Sequence, residues 1–169
     1  MMSVFSILRE ERVDIGCYPT EIFLDPAIAK KTCPIGYGVF NNAVFDKYGY
    51  SYCESCIHRW LDTKLECPLN KQRLTRSDII INRGMRDEIE EAKVICLYAK
   101  RGCRWEGKLK QLHHHINSEC SSVKGQCTAC LRIFYRKEIE LHYSNCLERI
   151  IHCEFCNVSF KKKDNNVVK

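Results

Sequence analysis

The spacing of cysteine and histidine residues constrains this chain more than any other feature. Two sets of four have the spacing of complete zinc sites, Cys96-x6-Cys103-x11-His115-x4-Cys120 and Cys127-x2-Cys130-x11-His142-x3-Cys146. Zinc takes thiolate and imidazole donors in a tetrahedron, which a cysteine pair on a hairpin and a His/Cys pair on a following helix can supply. Because protein fills all four positions of each site, we predict about two structural zinc ions and no metal-activated water.

Three adjacent histidines compete for the third ligand position of the first site. Spacing selects His115, which leaves His113 and His114 as exposed polar residues. Trp105 and Phe134 are the expected core aromatics of the two fingers.

The second finger's pattern starts again downstream, at Cys153 and Cys156. Its spacing would place the next histidine at position 168, where the chain has Val168. We therefore predict a partial third finger, degenerate or truncated, in which these two cysteines are only possible metal ligands. His152 is predicted to be a packing or surface histidine.

Composition limits the compartment and the class of protein. Small domains in a chain of 169 residues bury little apolar surface and need help, which zinc supplies. The 13 cysteines are an odd number, no apolar run approaches a membrane span, and the N-terminus turns charged too early for a secretory signal. We expect a reducing intracellular compartment, most simply the cytoplasm, with thiolates on metal rather than disulfides.

The positive charge is concentrated in the second half of the chain. Residues 95–169 carry 14 Lys/Arg against 7 Asp/Glu, whereas residues 1–94 carry 13 against 14. This permits nucleic-acid binding, but sequence-reading fingers end in a His-His pair after twelve residues and these end in a His-Cys pair after eleven. Nucleic acid is therefore not the expected partner. The sequence also has no Gly-rich phosphate loop and no nucleophile elbow.

A third cluster upstream has the frame of a two-metal cross-brace with ligands missing. It contains Cys33-Pro-Ile, Cys53-x2-Cys56 and Cys67-Pro-Leu. A hairpin around 39–52 and a helix over 54–63 are predicted within it, followed by a helix over 83–94 that Asn82 caps and that leads into Cys96 as a rigid spacer. Cys17 has no ligand partner nearby in sequence, so we expect a buried or free thiol.

This cluster resembles RING and U-box domains. In the RING order of ligands the chain has Cys33, Gly36, Tyr48, Tyr50, Cys53, Cys56, Cys67 and Asn70. The resemblance implies no zinc at the second position, where hydrogen bonds and packing would replace the metal as in U-boxes. At the first position Cys33, Cys53 and Cys56 are a possible residual site, with Gly36 in the fourth place, and we expect no zinc there either.

The segment from Cys96 onward is similar to TRAF-type zinc fingers. The whole layout resembles ubiquitin ligases of the TRAF and neuregulin-receptor degradation protein type, with an eroded RING. The expected fold is a set of small α+β zinc-stabilised modules: a RING/U-box-like ββα unit, a linking helix and tandem TRAF-type fingers. The predicted segments are a strap at 1–30, the RING/U-box-like domain at 31–80, the helix at 82–95, fingers at 96–122 and 123–148, and the partial finger and tail at 149–169.

The resemblance also implies a function. Such ligases hold a ubiquitin-charged conjugating enzyme in a shallow apolar groove, and their catalysis is positioning without covalent chemistry. The matching groove positions here are Ile35, Trp60, Pro68, Leu69 and Lys71. The fingers would bind a target or scaffold protein. The alternative is a non-catalytic zinc-finger scaffold within a larger assembly.

Overall fold

The computed structural model describes residues 4–8, 16–152 and 158–167, and it divides the chain into two compact units. We call Val13–Ala99 with Arg104–His113 the cross-brace unit. The remainder, Met1–Arg12, Lys100–Cys103 and His114–Lys169, is the finger unit. In the part of the chain that is described, no helix is long and apolar enough to cross a bilayer.

A three-stranded antiparallel sheet and one helix form the centre of the cross-brace unit. Strand β4 (Ala43–Asp46) lies between β5 (Ser51–Cys53) and β6 (Ile79–Ile81), and helix α2 (Glu54–Leu61) follows β5 directly. Two-residue strands β2 (Cys17–Tyr18) and β3 (Val39–Phe40) pair beside it. The fully buried side chains include Val39, Val44, Tyr52, Ile57 and Leu74. This core gives the unit apolar packing besides its cysteines.

Helix α2 confirms the predicted apolar face. Ile57 and Leu61 are buried, one turn apart, while Trp60 stays half-buried. The helix ends at Leu61 rather than at the predicted residue 63. It therefore carries Trp60 at its last turn, beside the second loop.

The predicted helix over 83–94 is shorter than expected. Helix α3 spans Arg83–Glu90, and the Asn82 side chain caps it by accepting a hydrogen bond from the Met85 amide at 3.2 Å. The chain then forms strand β7 (Lys93–Ile95), which pairs with β8 (Glu106–Lys108). The prediction of a rigid helical spacer up to Cys96 was therefore wrong. Val94 and Ile95 are β-branched and favour a strand, and Val94 is fully buried where β7 pairs with β8. Helix α4 (Leu109–His114) follows β8.

The strap over 1–30 does not form one element. Strand β1 (Phe5–Ile7) belongs to the finger unit, whereas β2 and helix α1 (Pro26–Ala29) belong to the cross-brace unit. Asp25 caps α1 by accepting from the Ala27 amide at 2.8 Å.

The finger unit is built on a sheet that the sequence did not fully predict. Strand β9 (Lys124–Cys127) pairs with β10 (Ile133–Tyr135) as expected of a finger hairpin, and helix α5 (Arg136–Asn145) follows. The other edge of β9 is covered by β1, with Phe5 opposite Cys127. A three-residue strand more than 100 positions away leaves no local signal.

The strands on either side of the repeated cysteine pattern pair with each other. Strands β11 (Ile150–His152) and β12 (Ser159–Lys161) are antiparallel, and the partial third finger stays a prediction. The imidazole Nδ1 of exposed His152 lies 2.8 Å from the Ser159 hydroxyl, which is a surface contact. Cys153 and Cys156 lie outside the described residues.

Candidate zinc centres and the groove beside them

Three turns of the chain share one backbone geometry. Each begins at a cysteine whose carbonyl accepts from the amide four residues on, and whose amide donates to the carbonyl five residues on. The turns start at Cys33, Cys67 and Cys127, and their residues with positive φ are Tyr37 (59°), Lys71 (62°) and Leu131 (61°). We call this turn a knuckle, and the chain forms it three times. The shared backbone geometry fixes the direction in which the side chain of the third residue after each cysteine points.

The first knuckle belongs to a cluster of four thiols. The Sγ atoms of Cys17, Cys33, Cys53 and Cys56 all lie within 4.8 Å of one another. The Cys17 sulfur is 3.3 Å from that of Cys53 and 3.7 Å from that of Cys56. Cys17, which was expected to be a buried or free thiol because no ligand partner is near it in sequence, has such partners in space. The pairing of β2 with β3 brings it beside cysteines 16 to 39 positions away.

The donor chemistry of this cluster fits zinc. Four thiols, three of them buried, match the tetrahedral thiolate set of a closed structural site. We expected no zinc at this position because only three cysteines were available as ligands. The structure supplies a fourth, Cys17, so that reason does not hold. Three Cys/His clusters able to hold a metal are present among the described residues, against the two ions expected.

The thiols of this cluster interact strongly. A hydrogen bond from the Cys53 thiol lowers the pKa of Cys33 to about 5, and the same hydrogen bond, with burial, raises the pKa of Cys53. Burial raises the pKa of Cys56 to about 12. A bound zinc ion would replace the thiol protons of Cys53 and Cys56.

The second position of the cross-brace is filled by a hydrogen-bond network. Asp46 is buried, with 1% of its surface exposed, and its Oδ1 accepts from the amides of Tyr48 and Tyr50 at 2.9 Å each. Its Oδ2 accepts from the Tyr52 hydroxyl at 3.3 Å, and that hydroxyl also lies 3.3 Å from the Cys67 sulfur. Burial raises the pKa of Tyr52 well above its usual range, so the phenol keeps the proton that it donates.

The residues in the ligand places of this second position take other partners. The Tyr48 hydroxyl donates to the Arg73 carbonyl at 3.0 Å, and the Asn70 side chain accepts from the Gln72 amide at 3.1 Å. Sequence reasoning foresaw hydrogen bonds here but missed Asp46 and Tyr52, the residues that make them. A lone acidic residue in an apolar strand was the available signal.

The second finger brings its four predicted ligands together. Cys127, Cys130, His142 and Cys146 have ligand atoms within 4.8 Å of one another. The Cys130 sulfur lies 3.2 Å from Nε2 of His142, and the Phe134 ring stacks on that imidazole with centroids 3.9 Å apart. The hairpin β9–β10 supplies the cysteine pair and helix α5 supplies His142, as the spacing predicted.

Three of the four predicted ligands of the first finger lie in the finger unit, and they come together there. Cys103, His115 and Cys120 have ligand atoms within 4.8 Å of one another, with Cys103 Sγ 3.3 Å from His115 Nε2. His115 is buried, whereas His113 and His114 are exposed. Burial lowers the pKa of His115, which favours the neutral imidazole that binds metal. Cys96 belongs to the cross-brace unit, at the end of β7, and its place as fourth ligand stays a prediction.

A shallow groove lies beside the first cluster. It has a volume of about 310 Å³ and is lined by Ile35, Gly36, Cys56, Arg59, Trp60 and Thr63. The indole of Trp60 is fixed by donating from Nε1 to the Glu66 carbonyl at 2.9 Å. The groove therefore has an apolar floor between the first loop and the end of α2.

The second loop lies against the same tryptophan. The Lys71 ammonium is 5.5 Å from the Trp60 ring centroid and donates to the Pro68 carbonyl at 2.8 Å. Leu69 is 48% exposed. The structure thus places Ile35 and Trp60 in one groove and puts Pro68, Leu69 and Lys71 on the loop at its side.

Comparison with known proteins agrees with this layout. A family model described as zinc finger, C3HC4 type (RING finger), matches residues 32–69. TNF receptor-associated factor 6 of Danio rerio is 29% identical over 160 residues, which cover 94% of this chain and 29% of that protein. The Homo sapiens protein of that name is 26% identical over 156 residues, covering 91% and 29%. The E3 ubiquitin-protein ligase PDZRN3 of Homo sapiens is 25% identical over 113 residues, covering 65% and 10%.

Residues 32–69 are similar to a RING-type zinc finger, and the Cys/His clusters of the chain fit a RING followed by TRAF-type fingers. It spans less than a third of the length of these relatives. The family match begins at residue 32, so Cys17 lies outside it.

Proposed function

We propose that the cross-brace unit is an E3 ubiquitin-protein ligase module that binds a ubiquitin-charged conjugating enzyme and holds it in a reactive conformation. The groove between Ile35 and Trp60 carries this proposal, because it presents two apolar side chains beside the loop that carries the exposed Leu69. Likeness to a protein whose name is E3 ubiquitin-protein ligase supports the same class of activity.

The groove has the anatomy of a small recognition site. Its apolar centre gains from desolvation, and aromatic side chains such as tryptophan are frequent hot spots of such contacts. Arg59 in the groove wall, together with Lys64 and Lys71, whose ammonium groups lie 4.8 and 5.5 Å from the Trp60 ring centroid, gives the rim positive charge. This rim would orient an acidic or carbonyl-rich partner surface without taking part in bond making.

The catalytic contribution of such a unit is positional. The thioester between ubiquitin and the conjugating enzyme supplies the chemistry, and the module restricts its orientation toward the acceptor amine. The cysteines of the cross-brace occupy structural positions and would act through the metal and the fold.

The finger unit would bind the target or a scaffold protein. Leu131, Ile133, Leu141, Leu147 and Ile150 are all more than half exposed on it. A contiguous patch of such side chains is typical of a protein-binding surface. The same surface supports the second candidate function, a non-catalytic scaffold.

The test is autoubiquitination by the full chain with a panel of charged conjugating enzymes. We expect Trp60→Ala and Ile35→Ala each to reduce transfer by about 30-fold, the effect of losing a hot-spot contact worth about 2 kcal/mol. Zinc content should remain that of the wild type, since neither residue is a ligand. Leu24→Ala is the matched control, because Leu24 is an exposed apolar residue of the same unit and is not among the groove's lining residues.

Two results would contradict the ligase. One is no transfer by the wild type with any conjugating enzyme, at full zinc content. The other is transfer that Trp60→Ala leaves unchanged. The first of these, with a stable protein complex recovered through the finger unit, would support the scaffold.

A further inference from the structure

We propose that Cys17 is the fourth zinc ligand at the first position of the cross-brace, where it takes the place of the side chain that Gly36 lacks. The knuckle starting at Cys33 provides only one ligand, and a strand from outside the RING-type segment provides the other. The proposal concerns zinc content and structure, so it stands or falls independently of ligase activity.

The three knuckles identify Gly36 as an emptied ligand position. In the knuckle of the second finger, the third residue after Cys127 is Cys130, whose sulfur lies in a metal-binding cluster. Gly36 is the third residue after Cys33 in a turn with the same two backbone hydrogen bonds and the same left-handed residue after it. A cysteine at 36 would therefore direct its sulfur to the cluster, as Cys130 does.

The Cys17 sulfur occupies the space of the missing side chain. A Cβ atom built on Gly36 would lie 2.3 Å from Cys17 Sγ and 3.2 Å from Cys56 Sγ. The first distance is shorter than any real contact of a Cβ atom, so no other residue fits at 36 while Cys17 is in place.

Backbone conformation does not explain this glycine. The glycines with positive φ are Gly49 and Gly102 among the described residues, and Gly36 is not one of them. An ordinary L-residue could adopt its φ, so space is what requires glycine here. Cys17 and Gly36 thus form a compensating pair.

A second close approach delivers Cys17 to the cluster. Strand β2 pairs with β3 so that Cys17 lies opposite Phe40, and a Cβ on Gly38 would lie 2.5 Å from the Tyr18 carbonyl oxygen and 2.8 Å from Cys17 Cβ. The chain from 16 to 18 therefore packs directly on the loop that carries Ile35. Zinc at this site would tie that strand to the wall of the groove.

The first experiment measures zinc per chain by native mass spectrometry on the whole 169-residue chain. We expect one zinc fewer in Cys17→Ala than in the wild type. The double variant Cys17→Ala/Gly36→Cys should regain that zinc, because it moves the ligand back into the knuckle. In cobalt-substituted protein, the single variant should lose the thiolate-to-cobalt absorption of the first site. The double variant should restore that absorption.

The outcomes are distinguishable. Undiminished zinc and an unchanged cobalt spectrum in Cys17→Ala would overturn the proposal, because another group would then complete the site. A double variant that folds but still binds one zinc fewer than the wild type would overturn the claim that Cys17 substitutes for a ligand at position 36. Trp60→Ala, which alters the groove alone, should keep all zinc whether or not the protein is a ligase.

Alkylation of the wild type covers the case in which the variants do not fold. With zinc bound, Cys17 should resist N-ethylmaleimide together with Cys33, Cys53 and Cys56, and all four should react after chelation. Rapid alkylation of Cys17 while the other three stay protected and zinc is retained would refute its role as a ligand.

Discussion

The hydroxyl of Tyr52 lies 3.3 Å from the sulfur of Cys67, at the place where a two-metal cross-brace would have its second ion. The same hydroxyl donates to the buried Asp46 carboxylate. The Tyr52 hydroxyl therefore joins β5 both to Asp46 at the end of β4 and to Cys67 of the second loop, which is the connection that a metal would otherwise make.

Tyr52→Phe should destabilise the cross-brace unit by about 1–3 kcal/mol, the cost of removing a partner from a buried polar group. Phenylalanine keeps the shape of this fully buried ring, so the loss reports the hydroxyl rather than a cavity. Urea unfolding followed at the amides of β4 and β5 measures it. Tyr50→Phe is the control, because that ring is 38% exposed and should change stability little. Equal effects from the two variants would show that the network contributes nothing.

Arg136 holds the two fingers' chain segments together within the finger unit. Its guanidinium donates to the carbonyls of Ile116, Asn117 and Cys120 at 3.0, 2.6 and 3.1 Å. These carbonyls lie at and just after the π-helical turn His115–Glu119, where a cation is favourable.

Arg136→Ala should therefore destabilise the finger unit by about 2 kcal/mol, since three charge-assisted hydrogen bonds are lost and their acceptors must find water. Arg136→Lys should recover only part of this, because lysine keeps the charge but not the planar fork. Equilibrium unfolding in excess zinc measures both variants, with the exposed Arg132→Ala as the matched control. A lysine variant as stable as the wild type would mean that charge alone matters.

Sequence predicts the second finger well, because its geometry is local. His142 and Cys146 are four residues apart on one helix and its end, and Cys127 and Cys130 share one knuckle, so spacing alone specifies the site. The face of α2 follows from 3.6-residue periodicity for the same reason.

The missed features depend on pairing between distant segments. Cys17 reaches its cluster through a two-residue strand, and β1 reaches β9 across more than 100 residues. Neither leaves a periodic signal. Gly36 was the available sign for Cys17: a glycine in a ligand position indicates that another atom fills the space.

Gly125 allows β1 to join the finger sheet. A Cβ atom on it would lie 2.4 Å from Phe5 Cζ and 2.5 Å from the Ser6 carbonyl oxygen, which is backbone and cannot rotate away. We expect Gly125→Ala to displace β1 and to speed hydrogen exchange at the amides of Leu8 and Thr128, which bond across this edge. Gly84→Ala is a control of opposite sign: nothing lies within 4 Å of its Cβ position in α3, so it should stabilise by up to about 1 kcal/mol. Unchanged exchange in Gly125→Ala would show that β1 does not need this close approach.

Zinc removal should unfold the finger unit before the cross-brace unit. One core of the finger unit has Cys127, Ile139 and Cys146 as its buried members, and two of these three are predicted metal ligands. The cross-brace unit, in contrast, buries Val39, Val44 and Ile57, which need no metal to pack. Because a structural zinc supplies folding free energy directly, 1,10-phenanthroline should abolish exchange protection in α5 at a concentration that leaves β4 protected. Added zinc should restore α5 and added magnesium should not, since thiolate and imidazole ligands disfavour magnesium. Protection of α5 that survives complete chelation would mean that this small core is stable by itself, and that its cysteines serve packing rather than metal binding.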